Sequence, residues 1–423
     1  MSWIEDDIAR YERRIKRIQE NPDPSMLNCT QILYELERDK RKEQLRAWKA
    51  GEPFSYGQGA VGTGILEALG FHDWDGPTTA DRQAKLAPEY FRVARAAGYP
   101  DHACDRAIVS VAMALKGDVP PPSFVVSSNY ACGAHMWNKV ALARHFRVPW
   151  FMVDTHFESN QKSLEYVAAQ LGELINYAEA NVPGIKYDEK KLDRLHRIGR
   201  EAHQYMWEVE QFKKAVPCPI TGRDTFRLPA VSPSIDPDKY LHYYRSFRDE
   251  LKGRVEKGQG ALPHERMRVG WLVTGVFYAD PFSFLESMGV SVPFFAAGRA
   301  WDPRGPQYKV FGDDAEYGRK LTPLEEEARQ LNALVWGGLA DRWIDDVLLQ
   351  CKEYKLDALV HFAQSGCTVT LGVEKVLAER AEKEIGVPTL LIEGRMLDNE
   401  AYNEREFQAR LEDFVEMCLQ NKG

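Results

Sequence analysis

The chain has 423 residues, 44% of them hydrophobic and 28% charged, with a formal net charge of −8. This length exceeds one ordinary hydrophobic core and predicts two or three domains. The acidic balance argues against nucleic acid as a partner, because surfaces that bind nucleic acid are basic. No apolar run reaches the roughly 20 residues of a membrane span, and the start of the chain lacks the segments of a signal peptide. We therefore expect a cytoplasmic protein that binds neither nucleic acid nor a membrane.

The first 50 residues are rich in charge and predict a helical arm. Ile4, Ile8, Tyr11 and Ile15 recur at the three- and four-residue spacing of one helix face. Two closely spaced prolines then interrupt the pattern. The arm over residues 1–50 is therefore expected to consist of two helices.

Beyond residue 50, predicted strands and helices alternate, which is typical of α/β domains with parallel sheets. We predict a first α/β domain over residues 51–240, with a helical insertion near residues 160–215, and a second α/β domain over residues 241–423. A proline-rich connection lies close to the boundary. Within these domains we expect helices at residues 79–97, 323–354 and 404–420, and a loop over the site at residues 299–320.

Two segments, one in each predicted domain, share a pattern of an apolar strand, a cysteine, a helix, a Val-Pro pair and another strand. The first contains Cys132 and the second contains Cys367. In an open parallel sheet, ligands bind in the crevice at the carboxyl ends of the strands. A helix N-terminus at that place favours a thiolate. Cys104 also stands at the predicted start of a helix, so these positions predict a thiolate site between the two domains.

The remaining cysteines limit the choice of metal site. The sequence has seven cysteines but no C-x-x-C pair, which argues against zinc fingers and, in a reducing compartment, against a disulfide framework. Cys351 and Cys418 are predicted to be buried apolar side chains, and Cys29 and Cys218 stay unassigned. The residues alone leave a three-cysteine site and coincidental structural cysteines both open. If the site exists, three thiolates suit an iron–sulfur cluster better than zinc, because one iron then keeps an open position.

Other motifs carry weaker signals. The pattern Gly57-x-Gly59-x-x-Gly62 matches a dinucleotide fingerprint, but no convincing buried strand precedes it, so we interpret it as a glycine-rich loop before a helix. The sequence has no G-x-x-x-x-G-K-[ST] phosphate loop, which indicates that this chain does not itself hydrolyse ATP. His135 and His361 lie in the two cysteine units and are candidate proton donors.

Several segments resemble one known family in their order and spacing. They are Ala103-Cys104-Asp105-Arg106, Lys116–Pro122, the two cysteine units and Ile392–Glu416. From about residue 51 to the C-terminus, the chain resembles the 2-hydroxyacyl-CoA dehydratase / benzoyl-CoA reductase family. The resemblance implies two flavodoxin-like or Rossmann-like α/β domains with a [4Fe-4S] cluster between them. By position, its three ligands would be Cys104, Cys132 and Cys367.

The resemblance also implies partners and a substrate. Members of the family pair with a homologous second subunit and receive low-potential electrons from a separate ATP-hydrolysing iron–sulfur activator, which agrees with the missing phosphate loop. Their substrate is an acyl-CoA thioester. Many members begin their first α/β helix with Pro-x-Glu, where this chain has Val61-Gly62-Thr63-Gly64. This departure questions the contact made by that glutamate and is compatible with the less catalytic partner of a heteromer.

The C-terminal run Glu393-Gly394-x-Met396-x-Asp398 is more similar to the benzoyl-CoA reductase branch of the family. We therefore expect an oxidoreductase subunit of an ATP-dependent benzoyl-CoA reductase, as used in anaerobic aromatic degradation, which passes single electrons to its thioester substrate. One alternative is a 2-hydroxyacyl-CoA dehydratase subunit, which would return the electron. Others are a homodimeric double-cubane reductase of small molecules and a non-enzymatic scaffold that folds without metal.

Overall fold

The computed structural model describes residues 3–22, 26–57, 60–74, 76–130, 132–158, 160–226, 231–273, 275–296, 319–333 and 338–421. Within them, the strands are β1 (Phe54–Tyr56), β2 (His72–Asp73), β3 (Phe124–Ser128), β4 (Trp150–Val153), β5 (Met267–Leu272), β6 (Val290–Phe295), β7 (Ala358–Gln364) and β8 (Thr389–Gly394). The helices are α1 (Trp3–Glu20), α2 (Cys29–Ala50), α3 (Thr63–Ala68), α4 (Gly76–Asp81), α5 (Ala87–Ala96), α6 (Asp105–Lys116), α7 (Gly133–Phe146), α8 (Gln161–Asn181), α9 (Glu189–Lys213), α10 (Gly222–Thr225), α11 (Pro237–Glu256), α12 (Pro281–Ser287), α13 (Pro323–Ala333), α14 (Ala340–Glu353), α15 (Thr368–Leu371), α16 (Glu374–Ile385) and α17 (Glu404–Asn421).

The strands form two four-stranded sheets in which every strand pair is parallel. The first sheet has the order β2-β1-β3-β4 and the second has the order β6-β5-β7-β8, so the two sheets share one topology. The predicted α/β class with two parallel sheets is confirmed. In each sheet, the second strand lies on one side of the first strand and the later strands lie on its other side. The strand order therefore reverses between β1 and β3 and between β5 and β7. Such switch points open a crevice at the carboxyl ends of the strands, where α/β proteins bind ligands.

The strands that precede Cys132 and Cys367, β3 and β7, are buried along their whole length. Their mostly apolar sequences are typical of parallel strands that are covered by helices on both faces. The hydroxyl of Ser127 in β3 donates a hydrogen bond of 3.0 Å to the carbonyl of Met136 in α7. This contact ties the strand to the helix that follows its cysteine, as the strand–cysteine–helix pattern predicts.

The predicted two-helix arm is present as α1 and α2, which pack against each other. A buried ion pair holds them, with 3.1 Å between Arg41 Nε and Asp7 Oδ2. The Arg41 guanidinium lies over the ring of Trp3 at 4.9 Å and over the ring of Trp74 at 5.4 Å. Because Trp74 follows β2, this cation–π stacking anchors the arm on the first sheet.

Two helix predictions were too long. The expected helix at residues 79–97 is divided into α4 and α5, because Leu86 caps a new helix and Pro88 stands in its first turn, where proline is favoured. The expected helix at residues 323–354 is divided into α13 and α14, since Leu339 has extended backbone angles. The loop predicted at residues 299–320 lies almost entirely outside the described residues. No helix among the described residues is long and apolar enough to cross a membrane.

The helical insertion is present as α8 and α9, and α8 covers the first sheet together with a helix from later in the chain. That later helix, α13, packs on α8 and α9, and its residues Ala328 and Leu331 belong to the same apolar cluster as β3 residues Phe124 and Val126. The boundary between residues 240 and 241 stays a prediction. The packing of α13 indicates that a segment beyond it contributes to the first core.

The prediction that no buried strand precedes the glycine pattern was wrong. β1 is buried at all three of its residues, and α3 follows the glycine-containing loop. However, Gly62, the N-cap of α3, faces a carboxylate: a Cβ on Gly62 would lie 2.7 Å from Cδ of Glu327. An acidic side chain thus occupies the helix N-terminus at which a dinucleotide phosphate would bind. The interpretation as a glycine-rich loop, rather than a nucleotide site, is kept on this geometry.

Candidate functional site

Cys104, Cys132 and Cys367 occupy equivalent local positions, because each is the N-cap residue of a helix. The three helices are α6, α7 and α15. Cys132 comes after β3 and Cys367 comes after β7, so both lie at the carboxyl ends of strands that flank a switch point. At such positions the first peptide N–H groups of a helix have no intrahelical partner and can face an anion. The role of the three cysteines as ligands stays a prediction.

Gly366 brings the Cys367 segment into backbone contact with the Cys104 segment. Its φ of +83° lies in the left-handed region that glycine adopts without strain. A Cβ at this position would lie 2.5 Å from the carbonyl oxygen of His102 and 2.7 Å from the carbonyl carbon of Ala103. Only a residue without a side chain therefore permits this approach of the two segments.

A hydrogen bond between the two halves of the chain reinforces this contact. Gln364, at the end of β7 and 2% exposed, donates from Nε2 to Cys104 Sγ at 3.4 Å. The three thiols are also close enough to influence one another, since the charge of Cys367 acts on both Cys104 and Cys132 and the charge of Cys104 acts on Cys132. The Cys104 and Cys367 segments are therefore in contact, and Cys132 lies within electrostatic reach of both thiols.

Burial has the largest effect on the pKa of two of these thiols, Cys104 and Cys132. It raises the pKa of Cys104 and raises the pKa of Cys132 to about 11. The Gln364 side chain and the backbone N–H of His135, which donates to Cys132 Sγ at 3.4 Å, lower these pKa values by a smaller amount. The expectation that a helix N-terminus lowers the pKa of these thiols was wrong, because the loss of solvation outweighs the nearby N–H dipoles.

Arg106 supplies a cation at the edge of the site. Its Nε and Nη2 each donate to one carboxylate oxygen of Asp81, both at 2.6 Å. The guanidinium lies 5.5 Å from the centre of the Phe277 ring, and the charges of Cys104 and Cys367 act on it. A bidentate pair of this kind fixes the plane and the position of the positive charge.

A second ion pair joins the start of α6 to the segment after β8. Asp105, which is fully buried, contacts Arg395 Nη2 through Oδ1 at 2.7 Å and accepts the backbone N–H of Leu397 through Oδ2 at 2.9 Å. Arg395 also donates through Nη1 to the carbonyl of Asp101 at 2.6 Å. These contacts hold the segment around Cys104 against the second sheet.

His135 lies beside the cysteines, because its backbone N–H donates a hydrogen bond to Cys132. Its ring Nε2 is buried and makes no hydrogen bond within the described part of the chain. Burial lowers the pKa of His135 to about 3, and the nearby charges of Lys139 and Arg106 act in the same direction. Its imidazole is therefore neutral near pH 7 and a very weak base, so it is poorly suited to accept a proton or to act as the proton donor that the sequence analysis considered.

His361, the other candidate proton donor, lies inside the second core. It is fully buried in β7, and its ring meets the ring of Trp343 edge-on with 6.0 Å between centres. Burial lowers the pKa of His361 to about 4, and neither ring nitrogen makes a hydrogen bond to the described residues. Its surroundings are those of a core residue between β7 and α14.

The other four cysteines have structural surroundings. Cys29 and Cys218, which the sequence left unassigned, are buried in one apolar cluster formed by α2, α9 and α11. The thiol of Cys218 donates to the carbonyl of Ile220 at 3.2 Å. Cys351 and Cys418 are buried in two further clusters, as predicted. None of these four cysteines interacts with the site described above in the part of the chain that is described.

One further group of metal-type donors lies away from the cysteines. Glu43, Glu52 and His72 have donor atoms within 4.8 Å of one another. Arg46 already donates to both carboxylates, at 2.7 Å to Glu43 and 2.5 Å to Glu52. The arginine supplies the positive charge that these carboxylates need, so the group is explained as a surface ion-pair network.

Four polar residues of the site escaped the sequence analysis. Arg106 and Asp81 pair between α6 and α4, Gln364 reaches a cysteine of the other half, and Arg395 fixes the start of α6. Only a weak signal was available for them. Gln364 is a polar residue within a buried strand, and Arg106 is a charged residue in the first turn of a helix. Their partners depend on tertiary contacts.

These features define a class: an α/β protein with two parallel sheets in which two cysteines follow strands at the switch points and a third, Cys104, also occupies a helix N-cap position. The chain belongs to the family described as 2-hydroxyglutaryl-CoA dehydratase, D-component, whose model matches residues 65–418. The resemblance inferred from the sequence is thereby confirmed at the level of the family.

Several characterised relatives are similar over most of the chain. The chain is 22% identical over 349 residues to the (R)-2-hydroxyisocaproyl-CoA dehydratase alpha subunit of Clostridioides difficile, which is 79% of this chain and 82% of the relative. It is 22% identical over 348 residues to the (R)-phenyllactyl-CoA dehydratase alpha subunit of Clostridium sporogenes, covering 78% and 80%. It is 21% identical over 332 residues to (R)-2-hydroxyglutaryl-CoA dehydratase, subunit alpha, of Acidaminococcus fermentans, covering 72% and 62%. These names favour the dehydratase alternative over the expected benzoyl-CoA reductase.

Proposed function

We propose that this chain is a subunit of a 2-hydroxyacyl-CoA dehydratase and holds a [4Fe-4S] cluster through Cys104, Cys132 and Cys367. The observation that carries the proposal is that three cysteines from both halves of the chain, each at the N-cap position of a helix, have thiols whose charges act on one another. The family match and the dehydratase relatives support this activity over the benzoyl-CoA reductase expected from the sequence.

The residues present fit such a cluster. Thiolates are the ligands that iron–sulfur clusters prefer, and three of them leave one iron open to substrate. Gln364 and the backbone N–H of His135 donate to Cys104 and Cys132, and such hydrogen bonds to sulfur stabilise a bound cluster. When bound, the cluster would supply single-electron transfer to a thioester.

The chain's own residues would then position the reaction and limit its exposure to water. Gly366 and the Asp105–Arg395 pair hold the two ligand segments together. Arg106 places a positive charge beside the thiolates. His135 offers a neutral imidazole, whose buried Nε2 has no hydrogen-bond partner among the described residues and can form a hydrogen bond to a bound substrate.

The proposal includes partners. Three relatives are named as alpha subunits, which supports pairing with a homologous second subunit here. The sequence contains no phosphate-binding loop, so low-potential electrons would come from a separate ATP-hydrolysing iron–sulfur activator. Co-expression of the chain with the companion subunit, followed by size-exclusion chromatography, tests the pairing; a chain that elutes alone at every concentration would contradict it.

Iron and sulfide analysis of anaerobically purified protein tests the ligand assignment. We expect about four iron and four sulfide per chain for a single cubane, and loss of most of this iron in Cys104→Ser, Cys132→Ser and Cys367→Ser. Cys218→Ser is the matched control, because a serine hydroxyl can keep the hydrogen bond to Ile220. A full complement of iron in any of the three site variants would refute the assignment, and about twice the iron in the wild type would favour the double-cubane alternative.

The ratio of reductant to product tests the reaction. Removal of water from a 2-hydroxyacyl-CoA is redox-neutral, so the electron is returned and many turnovers follow one reduction. Reduction of an aromatic ring consumes reductant in proportion to product. Product formation in large excess over the reductant added, with the companion subunit and activator present, supports the dehydratase; a fixed ratio of reductant to product overturns it in favour of the reductase.

A further inference from the structure

The side chain of Arg106 is a cation fixed by Asp81, which engages two of its three guanidinium nitrogens. Its Nε and Nη2 are engaged by Asp81, while Nη1 makes no hydrogen bond to the described residues. The arginine side chain keeps 32% of its surface exposed, against 13% for Asp81. The pair therefore presents the positive charge towards open space instead of closing it off within an ion pair.

The position of this charge relative to the cysteines is set by short, rigid segments. Arg106 is the second residue of α6. It follows the N-cap residue Cys104 and then Asp105, which is held by its ion pair with Arg395. Asp81 is the last residue of α4, which packs on α6. The charges of Cys104 and Cys367 act on Arg106, and Arg106 acts on His135. The cation thus reaches thiolates from both halves of the chain.

We propose that Arg106 is a positioning residue that raises the reduction potential of the three-cysteine site, with Asp81 both fixing and moderating its charge. The inference rests on the proposed function, since it concerns the cluster assigned to these cysteines. An added electron makes such a site more negative, so a nearby cation favours the reduced state. Net charge around the cluster is one of the factors by which proteins set its potential.

The alternative role for the pair is purely structural, as a link between α4 and α6. The two roles differ in the sign of their effects. A structural link is weakened equally by loss of either partner, whereas an electrostatic role gives opposite shifts in potential when the positive and the negative member are removed. The two partners of the same ion pair therefore provide the discriminating variants.

The experiment is a redox titration of the full-length protein, reconstituted anaerobically and followed by electron paramagnetic resonance. We expect Arg106→Gln to lower the one-electron equilibrium constant for reduction at least tenfold, which corresponds to 59 mV. Arg106→Lys, which keeps the charge without the bidentate geometry, should fall between this variant and the wild type. Asp81→Asn should shift the equilibrium in the opposite direction. Arg380→Gln on α16 is the control, because it removes an ion-paired arginine that is 29% exposed, much like Arg106, and that has no contact with the cysteines.

Iron content is measured on every sample, so that failure of the proposed function can be distinguished from failure of the inference about Arg106. Wild-type protein without iron overturns the proposed function and this inference with it. Normal iron in Arg106→Gln with an unchanged potential overturns the inference alone. If Arg106→Gln does not retain iron, Asp81→Asn decides, because it keeps the arginine: a higher potential supports the role and an unchanged or lower potential refutes it.

Discussion

A single glycine determines how closely the Cys104 and Cys367 segments approach each other. Gly366 combines a φ of +83° with a Cβ position only 2.5 Å from the carbonyl oxygen of His102. Gly386, at the end of α16, has a similar φ of +67° but no atom within 4 Å of its Cβ position. Alanine substitutions at Gly366 and Gly386 therefore separate the free-energy cost of the left-handed backbone from the free-energy cost of the close approach.

We predict that Gly366→Ala lowers the iron content of the purified protein, whereas Gly386→Ala leaves it unchanged. Both changes should cost about 1–2 kcal/mol of folding free energy for the left-handed backbone. Gly366→Ala should cost on the order of 1–3 kcal/mol more, because the methyl group forces two backbones apart. Iron analysis and urea unfolding of the two variants measure this, and equal stability and equal iron content would show that the contact is not required.

A buried histidine outside the site predicts a pH dependence of stability. His196 lies between two carboxylates, with 2.7 Å from Nε2 to Glu327 and 3.1 Å from Nδ1 to Glu326. Burial alone would lower the pKa of His196, but the two carboxylates outweigh it and raise this pKa to about 9. Since the folded-state value exceeds the unfolded-state value, the stabilisation is complete below about pH 6.5 and is lost as the pH rises through about 9.

The wild type should therefore lose on the order of 3 kcal/mol of stability relative to His196→Gln between about pH 6 and pH 10. Urea unfolding of the two proteins across this range measures the difference, which cancels titrations common to both. His145→Gln, at an exposed position near the end of α7, is the control and should track the wild type. A constant difference between wild type and His196→Gln would contradict a protonated His196.

At the scale of elements, the ion pair between Asp105 and Arg395 holds the start of α6 on the second sheet. We predict that Arg395→Met costs about 3 kcal/mol, because a fully buried carboxylate loses its partner. Amide hydrogen exchange in the second turn of α6, from Ile108 onwards, should become more than tenfold faster. Arg410→Met is the control, since Arg410 is exposed and makes one hydrogen bond, to the carbonyl of Leu391. Unchanged exchange in α6 would show that the pair does not restrain the helix.

Elements with strong local signals were predictable from the sequence. The apolar run before Cys132 and the helical spacing after it correspond to β3 and α7, and the arm helices α1 and α2 are separated where the prolines stand. The break between α4 and α5 was missed, because helical spacing of apolar residues outweighed a single proline at position 88. The strand β1 was missed because three residues are too few to show a period.

The candidate site was likewise predictable only where the signal was local. The three cysteines were found because each stands at a local boundary between a loop or strand and a helix. The contacts that join them could not be found, since Gln364 meets Cys104 and Gly366 meets His102 across the two halves of the chain. The direction of the thiol pKa shift was also wrong, because burial is a property of the packed structure.

At the scale of the whole molecule, the site depends on both sheets. Two of its cysteines belong to the half that forms the first sheet, and Cys367 belongs to the half that forms the second. A bound cluster would therefore act as a crosslink between the halves. A ligand that binds only the folded state stabilises it by a free energy that grows with the logarithm of its affinity.

We predict that removal of the cluster by an iron chelator under anaerobic conditions lowers the unfolding temperature and broadens the calorimetric transition, because the two cores then unfold less cooperatively. Cys367→Ser, which removes the second half's only ligand in the proposed set, should reproduce the chelated state and show no further change with chelator. Cys218→Ser should respond to chelator as the wild type does, since its sulfur lies in a separate core. Identical transitions before and after chelation of the wild type would show that the cluster does not join the halves.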